Sequence, residues 1–100
     1  DRLERQNQRA EDDVRRTLQL LSDLHEAHSL LAETAAAVRG YRLVGRDNFL
    51  DPYRAAQPNL MRVVDRIGLQ LSDAEQRRRF ARVRPLFVDK LDGWKRLLDP

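Results

Sequence analysis

The stretch RGYRLVGRDNFLDPY, Arg39 to Tyr53, decides the fold. It joins two long amphipathic helical patterns, and its chemistry reads locally. Gly40 sits inside a helical pattern, where glycine costs about 1 kcal/mol relative to alanine, so its use points to a backbone or ring that must come close. Gly45 follows Leu43 and Val44, the last apolar residues of the first helix, where a left-handed residue commonly ends a helix. Asp47 is placed to cap a new turn. Asp51-Pro52 reads as a second start, with aspartate at the cap and proline at the first helical position. Tyr41, Phe49, Leu50 and Tyr53 are spaced to fold back over this corner. The stretch predicts a helical hairpin.

Toward the N-terminus, Leu3, Ala10, Val14, Leu18, Leu21, Leu24, Leu31, Ala35 and Val38 recur at threes and fours or their sums, and Asn7, Thr17 and His28 fill the gaps. No proline interrupts them. The pattern predicts one heptad-like helix from about residue 2 to about residue 44, roughly 65 Å long. Toward the C-terminus, Tyr53, Ala56, Leu60, Val64, Ile67 and Leu71 predict a second helix, with a kink or break at Pro58. Ser72-Asp73-Ala74-Glu75 reads as a capping box opening a third helix. Its apolar positions are Phe80, Val83, Phe87, Leu91, Trp94 and Leu98; Pro85 is expected to bend it and Gly93 to weaken it.

Lengths then set a constraint. A second helix of about 25 residues returns along only about 37 Å of the first, and the third climbs back over the same distance. Residues 1 to about 18 therefore have no partner within the chain, although Leu3, Ala10 and Val14 mark an apolar seam. Either a second copy or a fourth helix beyond Pro100 is expected to cover it. The fold class is all-α: an antiparallel up-down bundle built on one long N-terminal helix.

The corner also closely resembles the signature of the third subtype of CHASE domains, extracytoplasmic sensory domains of bacterial and archaeal signal-transduction proteins. That pattern is matched by Arg39, Gly40, Tyr41, Gly45, Asp47, Phe49, Leu50, Asp51, Pro52 and Tyr53, and more weakly by the flanking helices. The resemblance implies a helical-bundle sensor lying between two transmembrane helices, on the periplasmic side of an inner membrane. Such domains usually feed a histidine kinase, a chemoreceptor or a nucleotide cyclase module. It also implies a descending fourth helix and a dimeric receptor, so residues 1–100 are expected to be one sensor domain cut short at its C-terminus.

Composition bounds the alternatives. One hundred residues allow one domain with a small core. At 35% charged and 41% apolar, the chain suits a solvated helical bundle and is too patterned to be disordered. The absence of cysteine excludes disulfides and thiol chemistry. No run approaches the roughly 20 apolar residues that span a bilayer. The net charge of +3 arises from seventeen arginines and two lysines set among sixteen acids, an interspersed pattern typical of a salt-bridged surface. The one basic run, Arg77 to Arg79, points three ways on a helix and has no aromatic platform beside it, so nucleic acid is not an expected partner.

Residues that could carry chemistry are few. His25 and His28 lie three apart, but with no third histidine and no cysteine they do not make a zinc site; no metal or cofactor is expected. A pH-sensing role for His28 is a minor alternative. No nucleophile-base pair or phosphate loop is present, so catalysis is not expected in these residues. Arg39, Tyr41, Arg42, Tyr53 and Arg54 cluster around the corner and could bind a carboxylate or phosphate. The same residues could instead tie the two helices together, for instance Arg39 with Asp47 or Asp51, and that structural reading is preferred. Trp94 sits at a core spacing and reads as packing. The expected function is the input domain of a transmembrane receptor, a sensor histidine kinase of a two-component system, working as a homodimer through the first helix. The alternative is a cytosolic helical adaptor whose first helix is a dimerisation rod.

Overall fold

The computed structural model describes residues 1–98. Helix α1 runs from Arg2 to Val44, α2 from Asp51 to Gln70 and α3 from Ala74 to Leu98, with a 3₁₀ turn over Asp47–Leu50 between the first two. The long dimension is 64 Å, the length of α1 itself. The expected all-α, up-down arrangement is what the chain adopts. The fourth helix expected beyond Pro100 lies outside the described residues. No described helix is long and apolar enough to cross a membrane.

Chain punctuation accounts for the element ends. Gly45 takes the left-handed conformation (φ 78°, ψ 7°) and donates its N–H to the Tyr41 carbonyl at 2.7 Å, closing α1 where the sequence indicated. Pro52 stands in the first turn of α2. Asp51, expected as the cap, is instead helical and the capping position falls on Leu50; the 3₁₀ turn feeds straight into α2 and leaves no extended residue to cap it. The start of α3 is also displaced by one. Asp73, rather than Ser72, accepts the N–H of Gln76 at 3.2 Å, so the expected Ser72–Glu75 box does not form. Both α2 and α3 continue through Pro58 and Pro85. Both prolines are exposed, so the missing donor falls on the solvent side of each helix.

The core lies between α1 and α2 and is closed at its upper end by α3. Tyr53, Ala56, Leu60, Val63, Val64 and Ile67 are the buried stripe of α2. Ala37 and Val38 meet it from α1, and Leu91 and Trp94 from α3. Trp94 stands edge-on to Tyr53, ring centroids 6.4 Å apart at 88°, a favourable aromatic geometry. Thr34 is fully buried without penalty because its hydroxyl donates to the Leu30 carbonyl at 2.7 Å. Lower down, α3 stays against α2 through Phe80 and leaves a groove against α1. Val83, expected inside, lines that open groove and is 58% exposed.

The first eighteen residues stand clear of the other helices. Leu3, Val14 and Leu18 are each more than half exposed, as the length argument required.

Candidate functional site

The corner is built from small and acidic residues around one arginine. A Cβ on Gly40 would meet Cδ1 of Phe49 at 3.0 Å, so the glycine lets that ring lie against α1. Leu50 and Tyr53 are buried beneath it. Arg54 reaches back from α2 across the 3₁₀ turn. Its two terminal nitrogens donate to Asp47 Oδ1 at 2.7 Å and Oδ2 at 3.0 Å, and one also reaches the Asp47 carbonyl at 3.3 Å. Asp51 adds a longer contact at 3.7 Å. This forked pairing is the geometry that makes arginine–carboxylate bonds strong and directional. It holds the Asp47 carboxyl below the usual carboxylate range. The tie expected from Arg39 to Asp47 or Asp51 is made by Arg54, because Arg39 lies on the exposed face of α1.

The five residues considered for ligand binding therefore separate. Tyr53 is in the core and Arg54 in the clamp; Tyr41 is half-buried, its carbonyl taken by Gly45. Arg39 and Arg42 remain on the outer face beside exposed Leu43. The pocket beside Arg39 and Arg42 is lined by these two and Leu43, and by neither tyrosine nor Arg54.

Two further features were not read from the sequence. At the far end of the hairpin, the Asp23 carboxylate is 1% exposed between α1 and α2. Gln19 and Arg66 each donate to its Oδ1 at 3.0 Å, and Gln70 donates to Oδ2. Arg66 also donates to Glu26, one helical turn along α1, at 2.9 Å. The Arg66 guanidinium holds the Asp23 carboxyl below its ordinary value, against the opposing effect of burial, and the two glutamines act in the same direction. The pairing raises Arg66 in turn. The only hint in the sequence was register: Asp23 falls three residues from Leu20, four from Ala27 and seven from Leu30 on the stripe that α2 covers.

The second feature is a groove of about 500 Å³ between α1 and α3. Leu31 and Ala35 form one wall, Leu86, Phe87 and Trp94 the other, with His28 and Lys90 among its lining. The Lys90 ammonium lies 5.5 Å from the Trp94 ring centre, a cation–π contact. Where α2 and α3 cross, Gly68 lies so close to Phe80 that a Cβ there would meet the ring at 2.6 Å. Arg84 joins Asp65 at 3.0 Å on the same side. No described group of three or more His, Cys, Asp or Glu side chains could hold a metal ion.

The arrangement is thus a hairpin clamped at both ends, with a third helix that crosses α2 closely and leaves an open groove against α1. No curated protein and no solved structure gives a match. The family profile of the CHASE3 domain, however, matches residues 10–99, nearly the whole chain. The chain belongs to the CHASE3 family, extracellular sensory domains of signal-transduction receptors.

Proposed function

We propose that this chain is the periplasmic input domain of a transmembrane histidine kinase of a two-component system. In this reading it relays its stimulus as a displacement of α3 against the α1–α2 hairpin, passed on by membrane helices that flank the domain in its parent. The observation that carries the reading is the lopsided attachment of α3. Of its residues only Leu91 and Trp94, both near its C-terminal end, are buried, whereas α2 buries six along its length. Below them α3 is held by the Phe80–Gly68 contact and the Arg84–Asp65 pair, and Val83 and Leu86 face solvent. A helix held this way can adopt two packings of similar energy, and a ligand, partner or membrane change would select between them by its differential affinity.

The test is autophosphorylation of the full-length parent in membranes, wild type against Arg84→Ala. An exposed pair is worth about 0–1 kcal/mol, too little to unfold the domain but enough to change a balanced equilibrium several-fold. Altered basal output with an unchanged circular dichroism spectrum is expected. Unaltered output with an intact fold would count against α3 as the moving part. A parent lacking membrane segments and a signalling module would end the reading.

A further inference from the structure

The groove between α1 and α3 pairs apolar walls with a cation that no acid answers. Leu31 and Ala35 of α1 stand across from Phe87 and Trp94 of α3, around about 500 Å³ of open space, the size of a cleft that holds a small molecule. The α1 side of the lining runs from His28 to Ala35, about 10 Å along the helix. Its charged and titratable members are Lys90 and His28. Glu33 and Asp89, the acids nearest in sequence to the two walls, line no part of it.

Elsewhere on these helices the cations are answered: Arg54 by Asp47, Arg66 by Asp23 and Glu26, Arg84 by Asp65. Lys90 differs. Among the described residues it makes no ion pair, and its ammonium rests 5.5 Å from the Trp94 ring centre. Arg39 lies four residues beyond Ala35, one turn up the same face of α1, and has no acid partner among the described residues either. The apolar cleft is thus bordered by positive charge on both helices.

We infer that this groove binds a small organic anion, a carboxylate held by Lys90 on an apolar body about 10 Å long that lies between Leu31 and Phe87. The apolar body displaces water from side chains that the described residues leave open: Leu86 is 67% and Val83 58% exposed. The anionic head gains a charge-assisted hydrogen bond from the ammonium. A cationic head would meet Lys90 with like charge and find no acid in the lining. The Trp94 ring holds the ammonium at the edge of the cleft before any ligand arrives, which lowers the cost of ordering it. The short α1 lining suits a molecule of this length better than a packed helix, which buries a track several turns long. Such a ligand would touch α3 and the hairpin at once. As a stimulus it rests on the sensor reading above; as a binding site it rests on the groove alone.

The experiment titrates the chain with hydrocinnamate, reading heat by calorimetry together with the emission of Trp94, the sole tryptophan. Saturable binding with a Kd of about 0.1–1 mM is expected for a ligand of this size. Phenylpropylamine, the same body with a cationic head, should bind about tenfold more weakly, and Lys90→Gln should erase most of that preference. Ala32→Phe fills the groove from an exposed position, and Val83→Glu sets a carboxylate in it. Each should weaken the anion about tenfold with an unchanged circular dichroism spectrum. The full-length parent is titrated alongside. Absence of saturable binding overturns the inference, and so does equal affinity for the amine, which would mark a surface that takes any apolar molecule. Binding that both groove variants leave unchanged overturns it too. So does binding by residues 1–100 that the parent lacks, which would seat another stretch of the parent in the groove. Kinase output is not read, so the result stands whether or not the sensor reading does.

Discussion

Replacing Gly68 and Gly93 by alanine, one at a time, tests whether close approach of α2 and α3 holds the bundle together. Both glycines lie inside helices, so both substitutions gain about 1 kcal/mol of helix propensity. They differ in what the new methyl meets. At Gly93 nothing lies within 4 Å, so the gain should appear in full. For a domain of this size that is a rise in Tm of about 4–8 °C. At Gly68 the methyl would fall 2.6 Å from Cε1 and 2.9 Å from Cζ of Phe80. The half-buried ring must swing out or α3 must move away, and overpacking of this kind costs about 1–3 kcal/mol. Subtracting the propensity gain leaves Gly68→Ala between neutral and about 2 kcal/mol destabilising. The difference between the two variants removes the shared propensity and isolates the contact. Thermal melts of both proteins, with Gly68→Ala/Phe80→Leu as the relief variant, give that difference directly. If Gly68→Ala stabilises as much as Gly93→Ala, the α2–α3 crossing is not tight and the reasoning fails.

Other consequences follow from the clamps. Gly40→Leu should lower the Tm although leucine is the better helix former, because Phe49 occupies the space; an unchanged or higher Tm would make the glycine incidental. Asp23 and Asp47 both lie below their ordinary value of 3.8, so the stability they supply is complete above it and is lost as pH falls through their lowered values. Melting curves at a series of pH values below about 4 should therefore steepen, and Asp23→Asn should flatten that dependence; an identical acid slope would refute the assignment. Arg66→Met, which leaves the Asp23 carboxylate buried and short of its cation, should lower the Tm more than Arg66→Met combined with Asp23→Leu; the reverse order in urea titrations would mean the cluster is not a paired unit. Asp47→Ala frees one side of an exposed clamp, so the domain should stay folded by circular dichroism while proteolysis at the corner accelerates.

Some of this was legible because single residues decide it. The end of α1 rests on one left-handed glycine, and the length of α1 on the absence of proline; both can be seen without knowing any partner. The exposed state of Leu3 and Val14 followed from counting residues, since a 20-residue helix cannot reach them. What stayed hidden depended on partners distant in the chain. Asp23 looks like any surface aspartate until Arg66, 43 residues away, arrives beside it. Arg39 was named for the corner clamp, with Arg54 only in the same cluster, and the rotation of each helix about its axis chose Arg54. Ser72 and Asp73 are both good caps, and a shift of one residue in where the chain turns selected Asp73. Val83 kept helical register with the core positions of α3, but register says which side a residue is on and not how closely the facing helix approaches, and the groove between Val83 and α1 stays open.

The placing of the two clamps decides which motions the domain can make. The corner ties the 3₁₀ turn that follows α1 to α2 at one end through Asp47 and Arg54, and the Asp23 cluster binds α1 to α2 at the other. Arg66 bridges Asp23 and Glu26, so the register of α2 on α1 is set by a charge that has no exposed alternative. Sliding α2 by one turn, about 5.4 Å, would carry Arg66 away from Asp23 and leave a buried carboxylate without its cation, the costly way to break such a pair. Relative sliding of α1 and α2 is thus opposed at both ends. The α3 helix has no buried charge fixing its register and meets α1 across an open groove. Driving a two-state equilibrium from 1:99 to 99:1 takes about 5.5 kcal/mol of differential binding. In the proposed reading, a stimulus of that size would reposition α3 against its two buried side chains, the Phe80 contact and the Arg84–Asp65 pair, and the hairpin would be the fixed body against which that displacement is measured.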